Sequence, residues 1–473
     1  MNTPASTPAA TSPSAPRAGT GLAYAIASFV HAHDPARLPA AVRERASLHA
    51  LDAIGLALAS HAQDYAAPAL AGTGAAAGAG PCTVIGDGLS WAARDAALAN
   101  GLLMHGLDYD DTHLASIVHP TAASLPAALA MAEALGRGWD EMLHAYALGA
   151  EVAIRLGASA RGGFHHVGFH ATGVVSHFAS ALVAGRLLGL PAERLCTAQG
   201  IAASTASGVQ VFLEDGAWTK RLHPGWGAHA GITAAHLAAH GFKGPMRPYE
   251  GRFGLYETHL HGQAVDTAVL LDGLGEQWHL VDTAIKPYPV CHFIHGCLDA
   301  ALELGVPPGG EAAIESVTCW LPGPTLPIVA EPEADKQRAR TDYEAKFSAP
   351  FVIATALLKG RFGLAELTSE ALADPAVRRL ALRVHSRADP DSAFPRYFSG
   401  GVSVRLRDGR ELARHVRVNS GAGDRALDAA AIGAKFVANA ALRLGDAGAR
   451  RAWDALRGGA GRPVRELLRT LRR

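Results

Sequence analysis

Excess charge of either sign is missing from this sequence. Its 473 residues carry 43 Lys+Arg and 43 Asp+Glu, a formal net charge of zero. A dedicated binder of nucleic acid or of an anionic membrane needs a basic excess, so neither partner is expected. Cysteine is scarce and scattered: Cys82, Cys196, Cys291, Cys297 and Cys319 are odd in number and include no CxxC pair. That excludes a disulfide framework and a structural zinc site, and a reducing cytoplasm is the expected setting. Long apolar runs are absent too. The best candidate span, 171–192, holds His177 and Arg186 and reads as a buried helix. Residues 1–19 are mostly Ala, Thr, Ser and Pro with a single Arg17. They lack the apolar stretch of a signal peptide and read as a disordered lead.

What is present is apolar surface. Hydrophobic residues make up 49% and charged residues 18%, enough for a large core, and aromatics only 6%. Abundant Ala and Gly favour close-packed helices over an all-β sandwich. The length suits two or three domains, or one large domain with an insertion.

The expected fold is mainly α, with a smaller α+β domain inserted before the C-terminal helices. Residues 20–282 read as a helical body, 283–418 as the α+β part and 419–473 as a return to the body. Apolar and small residues recur at helical spacing over 38–59, behind Pro39, and over 92–105. Val317, Cys319 and Leu321 alternate as in a strand, and so do Leu380, Leu382 and Val384. Val402, Val404 and Leu406 lead into Asp408-Gly409, with Leu412, Val416 and Val418 beyond, which predicts a hairpin. One helix is predicted over 343–359, ending before Gly360, and helical pattern resumes from about 425. Past Arg443 the chain is Arg-rich, ending in Arg469, Arg472 and Arg473. Leu467, Leu468 and Leu471 keep an apolar stripe there, so this is read as a solvated helix face.

Four stretches could do chemistry. The first is His105-Gly-Leu-Asp108-Tyr-Asp110-Asp111-Thr112-His113, followed by His119-Pro120. Three carboxylates so close repel one another unless a site uses them or cations pair with them. An acid/base cluster, a metal site with oxygen and nitrogen ligands over Asp108–Asp111, and simple helix capping all remain open. The second is His165-His166-Val-Gly168-Phe169-His170, flanked by glycines before an apolar helix. The third is Thr219-Lys220-Arg221-Leu222-His223-Pro224-Gly225, which suits a loop that receives a carboxylate or phosphate, or a surface ion-pair cluster. The fourth is Lys286-Pro-Tyr288-Pro-Val-Cys291-His292-Phe-Ile-His295, where two prolines hold the backbone extended before a helix near 292.

These four stretches, in this order, resemble the MmgE/PrpD family, which includes 2-methylcitrate dehydratase, cis-aconitate decarboxylase and iminodisuccinate epimerase. Asn100, Glu344-Ala345-Lys346-Phe347-Ser348 and the stretch Gly423 to Phe436 also look like that family. The resemblance covers roughly 20–440. It implies a large all-helical domain with a smaller α+β lid, a homodimer, no cofactor and no bound metal. The implied catalytic residues are Asp108, His119, His170, Lys220 and Lys286. The implied substrate contacts are Thr112, His223, Cys291, His292 and Phe351. Two positions depart from the decarboxylase branch: Cys291 stands where that branch has a histidine, with His292 one later, and Phe351 stands for a tyrosine.

The family's reactions break a bond at a carbon next to a carboxylate and leave charge on its oxygens. Lys220 and Lys286 would stabilise that charge, and His119 or His170 would move the proton. Asp108, kept protonated by its acidic neighbours, could act as acid, or it could orient His119. The expected function is a lyase acting on a small di- or tricarboxylate, dehydration of a 2-methylcitrate-like hydroxy acid first, with decarboxylation or epimerisation as alternatives.

Overall fold

The computed structural model describes residues 21–472; the expected disordered lead, 1–19, lies outside them. The body is built from helices Ala40–Ser60, Ala93–His105, Pro120–Ala134, Trp139–Ser159, Ala171–Leu187 and Thr219–Ala239. Small residues let these helices close on one another. A Cβ on Gly101 would lie 2.6 Å from the Cα of Gly225, and one on Gly225 would lie 2.3 Å from the carbonyl oxygen of Leu98. Only paired glycines allow that crossing. It fixes the N-terminal end of Thr219–Ala239, which carries Lys220, beside the C-terminal end of the helix that leads to Asp108. The final long helix, Ala429–Arg457, returns to pack on Ala40–Ser60. Phe436, Leu456, Leu467, Leu468 and Leu471 join the same core as residues 23–280. Among the described residues no helix is long and apolar enough to cross a membrane. All five cysteines are free and buried.

A second core gathers Ala284 to Ala422 around a sheet. After a short pair, β1 (Ala79–Thr83) and β2 (Ser90–Trp91), come β3 (Ile314–Leu321), β4 (Val384–Ala388), β5 (Gly400–Leu406) and β6 (Glu411–Val416). The last four form one sheet in the order β4-β3-β5-β6, with β3 and β4 parallel and the other pairs antiparallel. The predicted hairpin is present: Asp408-Gly409 joins β5 to β6, and Gly409 takes the left-handed φ of 89° that the turn requires. Leu114 and Phe212, from the helical body's stretch of chain, pack into this second core, so the two cores meet there.

Three local expectations fail for identifiable reasons. Leu380 lies in a helix, Pro375–Ala381, and Leu382 follows it; the strand starts only at Val384. Asp374 caps that helix by accepting from the amides of Ala376 and Val377, and Pro375 pre-sets its first turn. The predicted helix 343–359 is two helices, Asp342–Lys346 and Ala349–Lys359. Ser348 restarts the chain by accepting from the amide of Phe351, with Pro350 in the first turn. Thr219–Gly225 is the opening of a helix and not a loop, because Pro224 is tolerated inside Thr219–Ala239.

Candidate active site

The three neighbouring carboxylates diverge to separate partners. Asp108 sits just past Ala93–His105 with a left-handed φ of 52°, a conformation that Asp tolerates better than most residues. That turn aims its carboxylate at two ammonium groups: Lys286 Nζ is 2.7 Å and Lys220 Nζ 3.0 Å from Oδ1. Lys286 also donates to the Asp108 carbonyl at 2.8 Å. Asp110 Oδ2 accepts from His105 Nδ1 at 2.7 Å, and its Oδ1 lies 3.4 Å from His119 Nδ1. Asp111 turns away to His49 Nδ1, 2.7 Å from Oδ2, and to the Thr121 hydroxyl. Mutual repulsion is thereby replaced by local pairing.

Burial alone would raise Asp108, but Lys220 and Lys286, helped by His119 and His105, hold its carboxyl well below the usual carboxylate range. Two ammonium groups on Oδ1 favour the ionised form of Asp108, which argues against the acid role considered from sequence. Burial likewise opposes Asp110, and the two imidazoles beside it hold it far below the usual range.

His119 is the residue before Pro120–Ala134, and its amide donates to Thr172 Oγ1 at 3.0 Å. Its Nδ1 lies 2.7 Å from the Asp111 carbonyl. A carbonyl only accepts, so Nδ1 carries the proton and Nε2 keeps its lone pair. The Asp111 carbonyl and Asp110, rather than Asp108, orient this ring. His170, placed before Ala171–Leu187, has Nδ1 3.1 Å from His223 Nδ1. Burial first, then His223 and Lys220, hold His170 well below the usual imidazole range. Burial and His105 hold His223 at about 3.

Lys286 is tied in by backbone: Thr112 and Ala284 exchange two hydrogen bonds at 2.8 and 2.9 Å. Cys291 and His292 follow the proline-held segment. Burial, then Asp108, push the Cys291 thiol up, so it is not an activated nucleophile. His292 Nε2 faces the Asn419 side-chain amide at 3.0 Å.

Asp108, Thr112, His119, His170, Lys220, Lys286, Cys291 and His292 share one cavity of about 60 Å³. His223 stands behind His170 and not on the wall. Phe351 is not on the wall either; it is buried in the second core against Phe362. Phe347 takes the wall position, because the break at Ser348 rotates the chain. Arg221, beside Lys220 in sequence, points away: it donates to the Gly106 carbonyl at 2.8 Å and stacks 4.1 Å over Tyr65. His105 opened the first stretch but had no role assigned to it, although its five-residue distance from Asp110 was a usable signal. Sequence reading passed over Gln210 and Ile117 on the wall, which carry no motif.

Apolar side chains, among them Phe212, Phe347 and Phe398, line the rest of the cavity and interleave with the polar ones: Lys220 Nζ lies 5.0 Å from the Phe347 ring centroid. Phe212, Leu213, Ile328 and Phe347 also line a wider outer recess of about 580 Å³. The metal reading of the acidic stretch has some geometric basis, since Asp108, Asp110 and His119 offer atoms within 4.8 Å of one another. A dication there would face two ammonium groups already on Asp108, and Coulomb repulsion disfavours it.

A buried cavity lined by two lysines and several imidazoles defines an anion-handling site. The comparisons give that class a family. Residues 24–268 match the MmgE/PrpD N-terminal domain, and residues 288–457 match the MmgE/PrpD C-terminal domain. The chain belongs to the MmgE/PrpD family. It is similar to the cis-aconitate decarboxylase of Aspergillus terreus (strain NIH 2624 / FGSC A1156), 30% identical over 279 residues, a match spanning 56% of this chain and 56% of that protein. The cis-aconitate decarboxylase of Homo sapiens is 29% identical over 372 residues, 76% of this chain and 74% of that protein. The Mus musculus cis-aconitate decarboxylase is 29% identical over 372 residues, 74% of this chain and 72% of that protein.

Proposed function

We propose that this protein is a cofactor-independent lyase that decarboxylates a small unsaturated tri- or dicarboxylate, with cis-aconitate the first substrate to test. The observation that carries the reading is the convergence of Lys220 and Lys286, 3.0 and 2.7 Å from one buried oxygen, in a cavity otherwise lined largely by apolar side chains. The lysines hold the carboxylates that remain. The departing carboxylate would meet the apolar lining, where its charge is poorly solvated and loss of neutral CO2 relieves it. The C–C bond breaks, CO2 leaves without the bonding pair, and that pair moves through the alkene toward a retained carboxylate. The two ammonium groups stabilise the resulting dienolate. His119, having taken up a proton on Nε2 beside Asp110, delivers it to carbon. General acid help of this kind contributes roughly 10²–10⁴-fold.

Dehydration of a 2-methylcitrate-like hydroxy acid is the second reading. Cys291 and Phe351, in place of the decarboxylase branch's histidine and tyrosine, favour it, and so does the free Nε2 of His119, which suits a base. Incubation with cis-aconitate and with 2-methylcitrate, followed by proton NMR and CO2 release, separates the two. CO2 with new alkene protons from cis-aconitate is expected. Water loss from 2-methylcitrate without CO2 selects the second reading. Proton exchange in D2O alone indicates an epimerase, and no change in any acid sinks the whole assignment.

The 283–418 segment acts as the lid. Its Phe347 and Ile328 line both the cavity and the outer recess, where a lid would govern substrate entry. The working unit is a cytoplasmic homodimer. Leu222, Trp226 and Leu237 form an exposed apolar row on Thr219–Ala239 that a second copy would cover. Sedimentation of Trp226→Glu should then show monomers beside a dimeric parent.

A further inference from the structure

We propose that His105, His119 and His170 form a binding site for one divalent transition-metal ion, Zn²⁺ foremost, and that its occupancy switches the enzyme off. One ring nitrogen from each residue lies within 4.8 Å of one from each of the others. The ring centroids are 4.7 Å apart for His105 and His119, 5.4 Å for His105 and His170, and 6.1 Å for His119 and His170.

The outer nitrogens are already committed. His105 Nδ1 is 2.7 Å from Asp110 Oδ2, His119 Nδ1 is 2.7 Å from the Asp111 carbonyl, and His170 Nδ1 is 3.1 Å from His223 Nδ1. Metal-bound histidines characteristically have the far nitrogen held this way, by a carboxylate, a carbonyl or another polar group. What remains is Nε2 on each ring. On His105 and His170 that atom has no hydrogen-bond partner, although the residues are only 1% and 3% exposed. Buried polar atoms are nearly always satisfied, so two unpartnered ring nitrogens on residues of one histidine cluster are available to a ligand.

The ligand chemistry selects the ion. Three neutral imidazoles suit Zn²⁺ and its neighbours, whereas Mg²⁺ and Ca²⁺ prefer oxygen. Zn–N bonds of about 2.0–2.1 Å in a tetrahedron place the nitrogens roughly 3.4 Å apart, so binding requires the rings to close on the ion. His119 and His170 stand on the cavity wall, so the fourth position is left for water or a carboxylate from the cavity. Lys220 also acts on His105 and His170, and the Asp110 carboxylate beside His105 and His119 offsets that charge.

The binding half of this inference stands on geometry alone. The inhibitory half rests on the reading of His119 as the proton carrier, since an ion on Nε2 takes the lone pair that reaction needs.

Titration of the chelator-treated full chain with Co²⁺, followed by visible absorption, tests the first half. One equivalent should bind with tetrahedral bands, without a thiolate charge-transfer band, and Zn²⁺ should displace it. His105→Gln and His170→Gln should each weaken binding more than tenfold. Should either variant fail to fold by circular dichroism, Asp110→Asn decides, with an expected loss of about 10–100-fold in affinity. Absence of a saturable site, a thiolate band implicating Cys291, or affinities within twofold of the parent in the folded variants would overturn it. For the second half, Zn²⁺ should abolish turnover and EDTA restore it. Stoichiometric Zn²⁺ at this site with undiminished turnover overturns the inhibition and the role of His119, and leaves the metal site standing.

Discussion

Oδ1 of Asp108 lies 2.7 Å from Nζ of Lys286, and the second carboxylate oxygen has no hydrogen-bond partner among the described residues. Lys220 completes a buried trio with two positive charges and one negative. A group of that composition holds one surplus positive charge, which an arriving carboxylate can neutralise. Lys286→Ala is therefore expected to lower kcat/KM by more than tenfold. Steady-state rates on the substrate found by NMR check this, and a variant matching the parent would place the pocket elsewhere.

The same trio makes Asp108 a structural anion. Asp108→Asn leaves two ammonium groups buried beside each other, and breaking a buried pair costs about 3–5 kcal/mol. Urea unfolding should show a loss of that order. An unchanged midpoint would mean that the lysines find other partners.

His119→Gln should cost kcat about 10²-fold or more while KM stays within a fewfold of the parent, because the ring moves a proton and does not hold the acid. A change confined to KM would reassign His119 to substrate positioning.

Phe347 and Phe351 separate wall from core. Phe351→Ala should destabilise by about 3–5 kcal/mol, the usual cost of emptying a packed aromatic site. Phe347→Ala should widen the cavity and change the range of acids accepted. Comparison of unfolding midpoints with substrate profiles checks the pair, and equal effects of both on stability would contradict the division.

Burial holds His113, His144, His165 and His223 at about 3 and His177 at about 4. The unfolded chain takes up these protons near 6.5, so it binds more protons than the folded chain in between. The stability concerned is fully present above about pH 6.5 and is lost as pH falls toward 3. Urea midpoints should drop steeply from pH 6.5 to pH 5 and level off above pH 7. A flat acid limb would show that these rings are solvated.

The residues by themselves determined the helical character, the Asp408-Gly409 hairpin and which side chains are able to carry charge or protons. Periodicity and turn chemistry act over a few residues, so they can be read along the chain. The acidic stretch was legible as unusual for the same reason: neighbouring carboxylates repel wherever they are placed. Only the tertiary structure decided where each carboxylate goes, with Asp108 to the lysines, Asp110 to His105 and His119, and Asp111 to His49. It also exchanged Phe351 for Phe347 on the wall and turned Arg221 away from it. Lys286 lies 178 residues from Asp108 along the chain. Their pairing, and the ionised state that it imposes, arises when two separately folded cores close on one water-poor point, and no local pattern records it.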